Sequence, residues 1–94
     1  MLVPSVANPC VLSVEPIDDY CLALTFANGE RRIFDVKPYL QRGIFVRLQN
    51  RVTFQAVRVV AGSAEWPGEL DLSYDTLYIE SKPIDVQALA AAVV

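Results

Sequence analysis

The chain has 94 residues, enough for one domain, and 53% of them are hydrophobic against 20% charged, the composition of a folded globular protein. Eleven acidic against eight basic residues leave a net charge of −3, so the clustered positive field that binds phosphate backbones is lacking. No apolar run approaches the ~20 residues that span a bilayer, and no basic segment precedes an apolar one at the N-terminus, so the expected location is the cytoplasm.

Residues 1–9 hold two prolines and no period, and read as an extended arm. Cys10–Pro16 is β-branched and apolar, and suits a strand that Pro16 limits, because proline cannot donate to a central ladder. Asp18-Asp19 makes the first turn. Leu22, Leu24 and Phe26 then alternate with Cys21, Ala23 and Thr25, the period of a half-buried strand. The dipeptide Asn28-Gly29 accepts the positive φ of a tight hairpin turn, and Glu30–Val36 is the return strand. A two-residue loop there sets Leu24 opposite Ile33; a three-residue loop with a glycine bulge sets Leu22 opposite Phe34. A shift of one residue exchanges the faces, so the sides taken by Arg31 and Arg32 stay open. Both faces of this hairpin carry apolar residues, one expected to meet helices and the other a further strand or a second subunit.

Lys37–Gly43 suits a short helix, with Pro38 in its first turn and Gly43 at its C-terminal end. Ile44–Leu48 is a short apolar connector or strand. Asn50 caps a turn through Phe54, and Ala56–Val60 is a strand that Ala61-Gly62-Ser63 turns back toward Trp66. The stretch Trp66-Pro67-Gly68-Glu69-Leu70-Asp71-Leu72 sets one large ring against a Pro-Gly corner and leads to a helix start. Ser73 caps a brief helix holding Tyr74, Leu77 and Tyr78. Lys82-Pro83 breaks the chain, and Ile84–Ala92 is Ala-rich enough for about two turns of helix. The expected fold is a small α+β domain over 10–81, with a mostly antiparallel sheet of about five strands, short helices on one side and a helical tail over 82–94.

Two cysteines are present, Cys10 and Cys21. Pairing the first two strands around Asp18-Asp19 sets Cys21 opposite Pro16 and leaves Cys10 about 20 Å away at ~3.3 Å per residue. That is beyond the ~7 Å Cα separation a disulfide allows, so both are expected as free thiols.

The chemistry is narrow. Histidine is absent, which removes the commonest general base and metal ligand. Neither a Ser-His nor a Cys-His pair is possible, and no glycine-rich phosphate loop occurs. No metal or cofactor is expected. Asp35 closes a strand before a helix and reads as a brace for that junction. Glu65, Glu69 and Asp71 flank Trp66; they read as a solvated rim, and acid–base work by a carboxylate pair is the minor alternative. Trp66 has two readings, a core anchor or a contact ring in a binding groove. Arg31-Arg32 likewise either keeps a strand edge soluble or meets an acidic partner. Tyr74 and Tyr78 are four apart on one helical turn.

The order Tyr20–Glu30, Phe34-Asp35-Val36-Lys37-Pro38, Phe54, Trp66-Pro67-Gly68 and Asp71-Leu72 resembles a bacterial family of uncharacterised proteins, domain of unknown function 2442. The likeness runs from about Cys10 to Ser81, with Asn28, Gly29, Asp35, Trp66, Pro67, Gly68 and Asp71 as its motif residues. Glu69-Leu70 departs mildly from the polar residues expected between Gly68 and Asp71. The resemblance implies a small α+β fold in a bacterial cytoplasmic protein and no assigned catalytic residue. Some relatives carry a DNA-binding helix-turn-helix domain, for which the dozen residues after Lys82 are too few; others stand beside a small partner as in toxin–antitoxin pairs. The leading expectation is a non-enzymatic interaction module, a homodimer or bound to a small protein, with Arg31, Arg32, Trp66 and Tyr74 near the contact. The alternatives are an antitoxin-like or transcription-associated regulator, and an enzyme using Asp35, Glu65, Glu69 or Asp71.

Overall fold

A computed structural model of the chain describes residues 8–84. The expected extended arm over 1–9 therefore lies outside the described residues up to position 7, and the expected tail helix does so from position 85. Between them the fold is α+β, as expected, but its strands divide into two antiparallel sheets instead of one. Sheet A has the order β1-β2-β3-β7, from β1 (Val11–Ile17), β2 (Cys21–Phe26), β3 (Arg31–Asp35) and β7 (Lys82–Pro83). Sheet B has the order β4-β5-β6, from β4 (Arg58–Val60), β5 (Ser63–Trp66) and β6 (Leu70–Leu72).

The β2–β3 hairpin turns on three residues, Ala27-Asn28-Gly29, and Leu22 faces Phe34. The Gly29 N–H donates to the Phe26 carbonyl, and Gly29 takes φ +89, a conformation that glycine adopts without penalty. This register puts Leu22, Leu24, Phe26, Phe34 and Arg32 on one face and Cys21, Ala23, Thr25, Arg31 and Ile33 on the other. The β1–β2 turn is also longer than its Asp18-Asp19 signal: Tyr20 joins it, and Cys21 pairs with Ile17, not Pro16. The cost appears in the backbone, where Asp19 and Tyr20 both have positive φ, 64 and 57. The Tyr20 ring offsets it by meeting Phe54 edge-on at 5.1 Å, and its hydroxyl donates to the Gln49 carbonyl at 2.6 Å. Pro16 is tolerated because β1 is an edge strand.

Three expectations along the chain are corrected. Ile44–Leu48 lies in a 3-10 helix, Gly43–Gln49, which turns Leu48 into the core; Gly43 therefore opens this helix and does not end the preceding one, which is a single 3-10 turn, Lys37–Tyr39. Leu70–Leu72, read only as the lead into a helix, is strand β6, with Leu70 and Leu72 buried and Asp71 exposed. Lys82-Pro83 does not break the chain but pairs with Arg32 and Ile33 as β7, carrying the folded unit past Ser81. The caps stand as read. Asn50 Oδ1 accepts from the Val52 and Thr53 N–H groups to open α1 (Arg51–Gln55), and Ser73 Oγ accepts from Thr76 N–H to open α2 (Tyr74–Glu80).

One core joins the sheets. Sheet A contributes Leu22, Leu24, Phe26 and Phe34, sheet B contributes Ala64, Trp66, Leu70 and Leu72, and Leu48, Phe54 and Leu77 come from the helices. A backbone bond seams the sheets together, from Val11 N–H to the Gly62 carbonyl at 2.8 Å. The approach is close: a Cβ on Gly62 would stand 2.8 Å from the Cys10 Cβ, and φ there is +81. Sheet B and both α-helices thus meet the same face of sheet A. On the opposite face Ile17, Ala23 and Ile33 take no part in the core.

Candidate functional site

The two arginines singled out from sequence are separated by the alternation of β3. Arg32 points into the fold, and its side chain is 13% exposed. Its Nε donates to Ser81 Oγ at 2.7 Å, one terminal nitrogen to the Ser81 carbonyl at 2.9 Å, and the other to Glu30 Oε1 at 3.1 Å. Its guanidinium also lies 4.6 Å above the centre of the Tyr78 ring. The Tyr78 hydroxyl and the Asn28 amide both donate to Glu30 Oε2. Those bonds hold the Glu30 carboxyl below its usual range, the Tyr78 bond foremost, and the same bond raises the Tyr78 hydroxyl. The network clamps the end of α2 to the hairpin tip and engages all three guanidinium nitrogens of Arg32 within the fold. Arg31 is exposed on the opposite face.

Trp66 is fully buried, and its indole N–H donates to the Phe54 carbonyl at 2.9 Å. Of its two roles the core anchor is the one realised; the ring offers no surface to a groove, which corrects its assignment as a contact residue. Tyr74 is half-buried against the core, and its backbone N–H donates to Ser63 Oγ. Pro67 and Gly68 form the corner between β5 and β6. Glu65 pairs with Arg58 at 3.2 Å and faces Asp71 across the ladder, while Glu69 is exposed. These three carboxylates lie on the rim and outer face of sheet B.

The densest polar cluster escaped the sequence reading. Lys37 Nζ lies 3.0 Å from both Asp19 Oδ2 and Asp35 Oδ1, 2.8 Å from the Asp19 carbonyl and 3.8 Å from Cys21 Sγ. Asp35 also accepts from the Lys37 backbone N–H at 2.9 Å, the bracing role expected of it. Bonds to Asp19 and then Asp35 push the Lys37 ammonium far above its ordinary value. Burial is the leading cause that raises the Cys21 thiol, against the smaller opposing pull of Lys37. A protonated thiol beside an ammonium already paired with two carboxylates is a poor nucleophile and a poor anion site. Nearby, Tyr39 donates to Glu80 at 2.6 Å, and burial with that bond lifts its hydroxyl to about 12. Among the described residues, no group of three or more cysteine, aspartate or glutamate side chains is disposed to hold a metal ion.

A cleft of about 350 Å³ opens between the β1–β2 turn and α1, lined by Pro16, Ile17, Tyr20 and Phe54 with Asp18, Asp19, Arg51 and Gln55. It has the size of a ligand pocket. Its charged groups are of both signs, however, and every buried side-chain polar atom among the described residues already has a partner. What remains unanswered is the outer face of sheet A. Its middle strand presents Cys21, Ala23 and Thr25, all small, flanked by Ser13, Glu15 and Ile17 on β1 and by Arg31, Ile33 and Asp35 on β3, with the Lys37 cluster at the Asp35 end. No helix among the described residues is long and apolar enough to cross a membrane.

The family model described as protein of unknown function (DUF2442) matches residues 11–83, from the first residue of β1 to the last of β7. No curated protein and no solved structure matches the chain. The chain belongs to the DUF2442 family.

Proposed function

We propose that this member of the family is a protein-interaction module with no catalytic step of its own, and that the outer face of sheet A is its contact surface. The observation that carries the reading is that face itself. Three strands present Ile17, Ala23 and Ile33, none of which joins the core that sheet B and both α-helices build on the other face. Sheets covered on one face only ordinarily alternate apolar with polar residues, so apolar side chains on the second face are the feature to explain. Arg31 at the hairpin end of the face and Lys82 beside Ile33 on the β7 edge, both exposed, favour an acidic partner segment along that edge. The Lys37, Arg32 and Tyr39 clusters support the absence of catalysis, because each polar group in them is engaged by another.

The partner is a second copy of the chain or a small protein. A regulator of the antitoxin kind is the same reading with a specific partner, and no residue described above favours it over the general one. The test is native mass spectrometry of the tagged protein drawn from its own cell extract, beside an Ile33→Arg variant. The reading expects a stoichiometric partner, or a dimer, that the variant loses while keeping its fold. A folded monomer with wild-type sequence and no companion would overturn it.

A further inference from the structure

We propose that the partner on the outer face of sheet A is a second copy of the same chain, joined face to face about a two-fold axis that runs along the strands between β2 and β3. The inference rests on the interaction reading and names its partner. One row of side chains carries it. Glu15 pairs with Ala23, Ala23 with Ile33 and Ile33 with Lys82, so the four stand level across β1, β2, β3 and β7. Residues directly opposite in antiparallel strands share a face, which puts all four on the outer side of the sheet. Across the sheet the row is an acid, a small residue, a large residue and a base. Reversed and laid upon itself, that row is its own complement. Glu15 of each copy meets Lys82 of the other, and each Ile33 side chain meets the space above the other copy's Ala23.

A two-fold contact requires a surface complementary to itself, and an axis along the strands supplies the reversal. It sets β2 of one copy over β3 of the other, and β1 over β7, level by level. The remaining charges of the face then meet neutral groups. Arg31 lies over Thr25 of the other copy, and Asp35, which keeps its Lys37 partner at 3.0 Å, lies over Cys21. An axis across the strands, through the same row, would instead stack Glu15 on Glu15 and Lys82 on Lys82, and like charges so placed oppose association. An axis along β2 itself would put Glu15 over Ile33 and leave Lys82 without a mate. Facing sheets pack about 10 Å apart and cross at about −30°. The row is about 14 Å long at ~4.8 Å per strand, so that crossing displaces its ends by only about 4 Å, within reach of the long Glu15 and Lys82 side chains.

Sedimentation equilibrium of the purified chain, from micromolar to millimolar concentration, reads the association directly. Glu15→Lys and Lys82→Glu both change exposed residues, and unchanged urea midpoints check that each variant keeps its fold. Either variant alone sets like charges against each other at both ends of the row. Each should raise the concentration of half-dimerisation on the order of ten-fold or more. Mixed in equal amounts, the two variants regain opposite charges at both ends, so the mixture should dimerise as the wild type does. Pairing within one chain cannot produce that rescue, because Glu15 and Lys82 stand on the two edge strands of sheet A. A monomer at every concentration, a dimer that neither reversal weakens, or weakening that mixing does not rescue would each overturn the inference. It and the interaction reading fail separately. A small-protein companion that Ile33→Arg releases, or a dimer that Ile33→Arg breaks and the charge reversals do not, leaves that reading standing without this pairing. A dimer that Ile33→Arg leaves intact removes both.

Discussion

Sheet A carries two faces made by the same three strands, and they differ in almost every physical respect. The inner face is Leu22, Leu24, Phe26 and Phe34, all essentially inaccessible to water and held by sheet B and the helices. The outer face, one residue out of phase, holds half-buried Cys21, Ala23, Thr25 and Ile33 among exposed Ser13, Glu15, Ile17, Arg31 and Asp35. The inner face supplies stability; the outer face is free to differ without unfolding the domain. The same division explains the arginines: Arg32 shares the inner face and is consumed by structure, whereas Arg31 shares the outer face and stays available.

The sharpest way to break this contrast is Trp66→Ala. It empties the centre of the inner core and leaves the Phe54 carbonyl without its donor, and should cost about 3–5 kcal/mol in urea unfolding, enough to unfold a small domain outright. Leu24→Ala, on the inner face of β2, should cost about 2–5 kcal/mol by the same assay. Arg32→Ala should cost about 1–3 kcal/mol, because Ser81 and Glu30 lose their partner in a half-buried site. Arg31→Ala on the neighbouring residue should stay within ~0.5 kcal/mol of wild type. Equal losses for the two arginines would erase the distinction between the faces.

The smallest expected effects concern pH. The Glu30 carboxyl is held below its usual value, so its contribution is present above the unfolded carboxyl pKa of about 4.3 and is lost as pH falls through the lower folded value. Urea midpoints measured from pH 6 down to pH 3 should therefore fall less steeply for Glu30→Gln than for wild type. Cys21 should reach half-maximal alkylation above the ordinary thiol value of about 8.5, and Lys37→Met should move it higher still, since the ammonium is what opposes the effect of burial.

Much of the local structure was legible from residues alone. Asn28-Gly29 signalled a hairpin because few other dipeptides accept its backbone angles, and Asn50 and Ser73 signalled helix starts because their side chains reach the exposed N–H groups. The free thiols followed from strand arithmetic, although the register used was one residue off. The strand Leu70–Leu72 was not legible because three residues are too short to show an alternation. The Lys37 cluster and the Arg32 clamp were invisible for a different reason. Arg32 and Ser81 stand 49 positions apart, and Asp19 and Lys37 stand 18 apart. No local pattern marks either pair.

Alternation by itself determined that the central hairpin would have two chemically distinct faces, since side chains in any strand point to opposite sides in turn. Capping chemistry and turn residues likewise determined where most elements begin, because they depend on neighbours within a few positions. Which face would close, how many sheets would form and which arginine would be buried were decided only by tertiary structure. Those outcomes depend on a third residue in the β1–β2 turn, a three-residue loop in the next and the return of β7 to the sheet edge, none of which a pattern of near neighbours specifies.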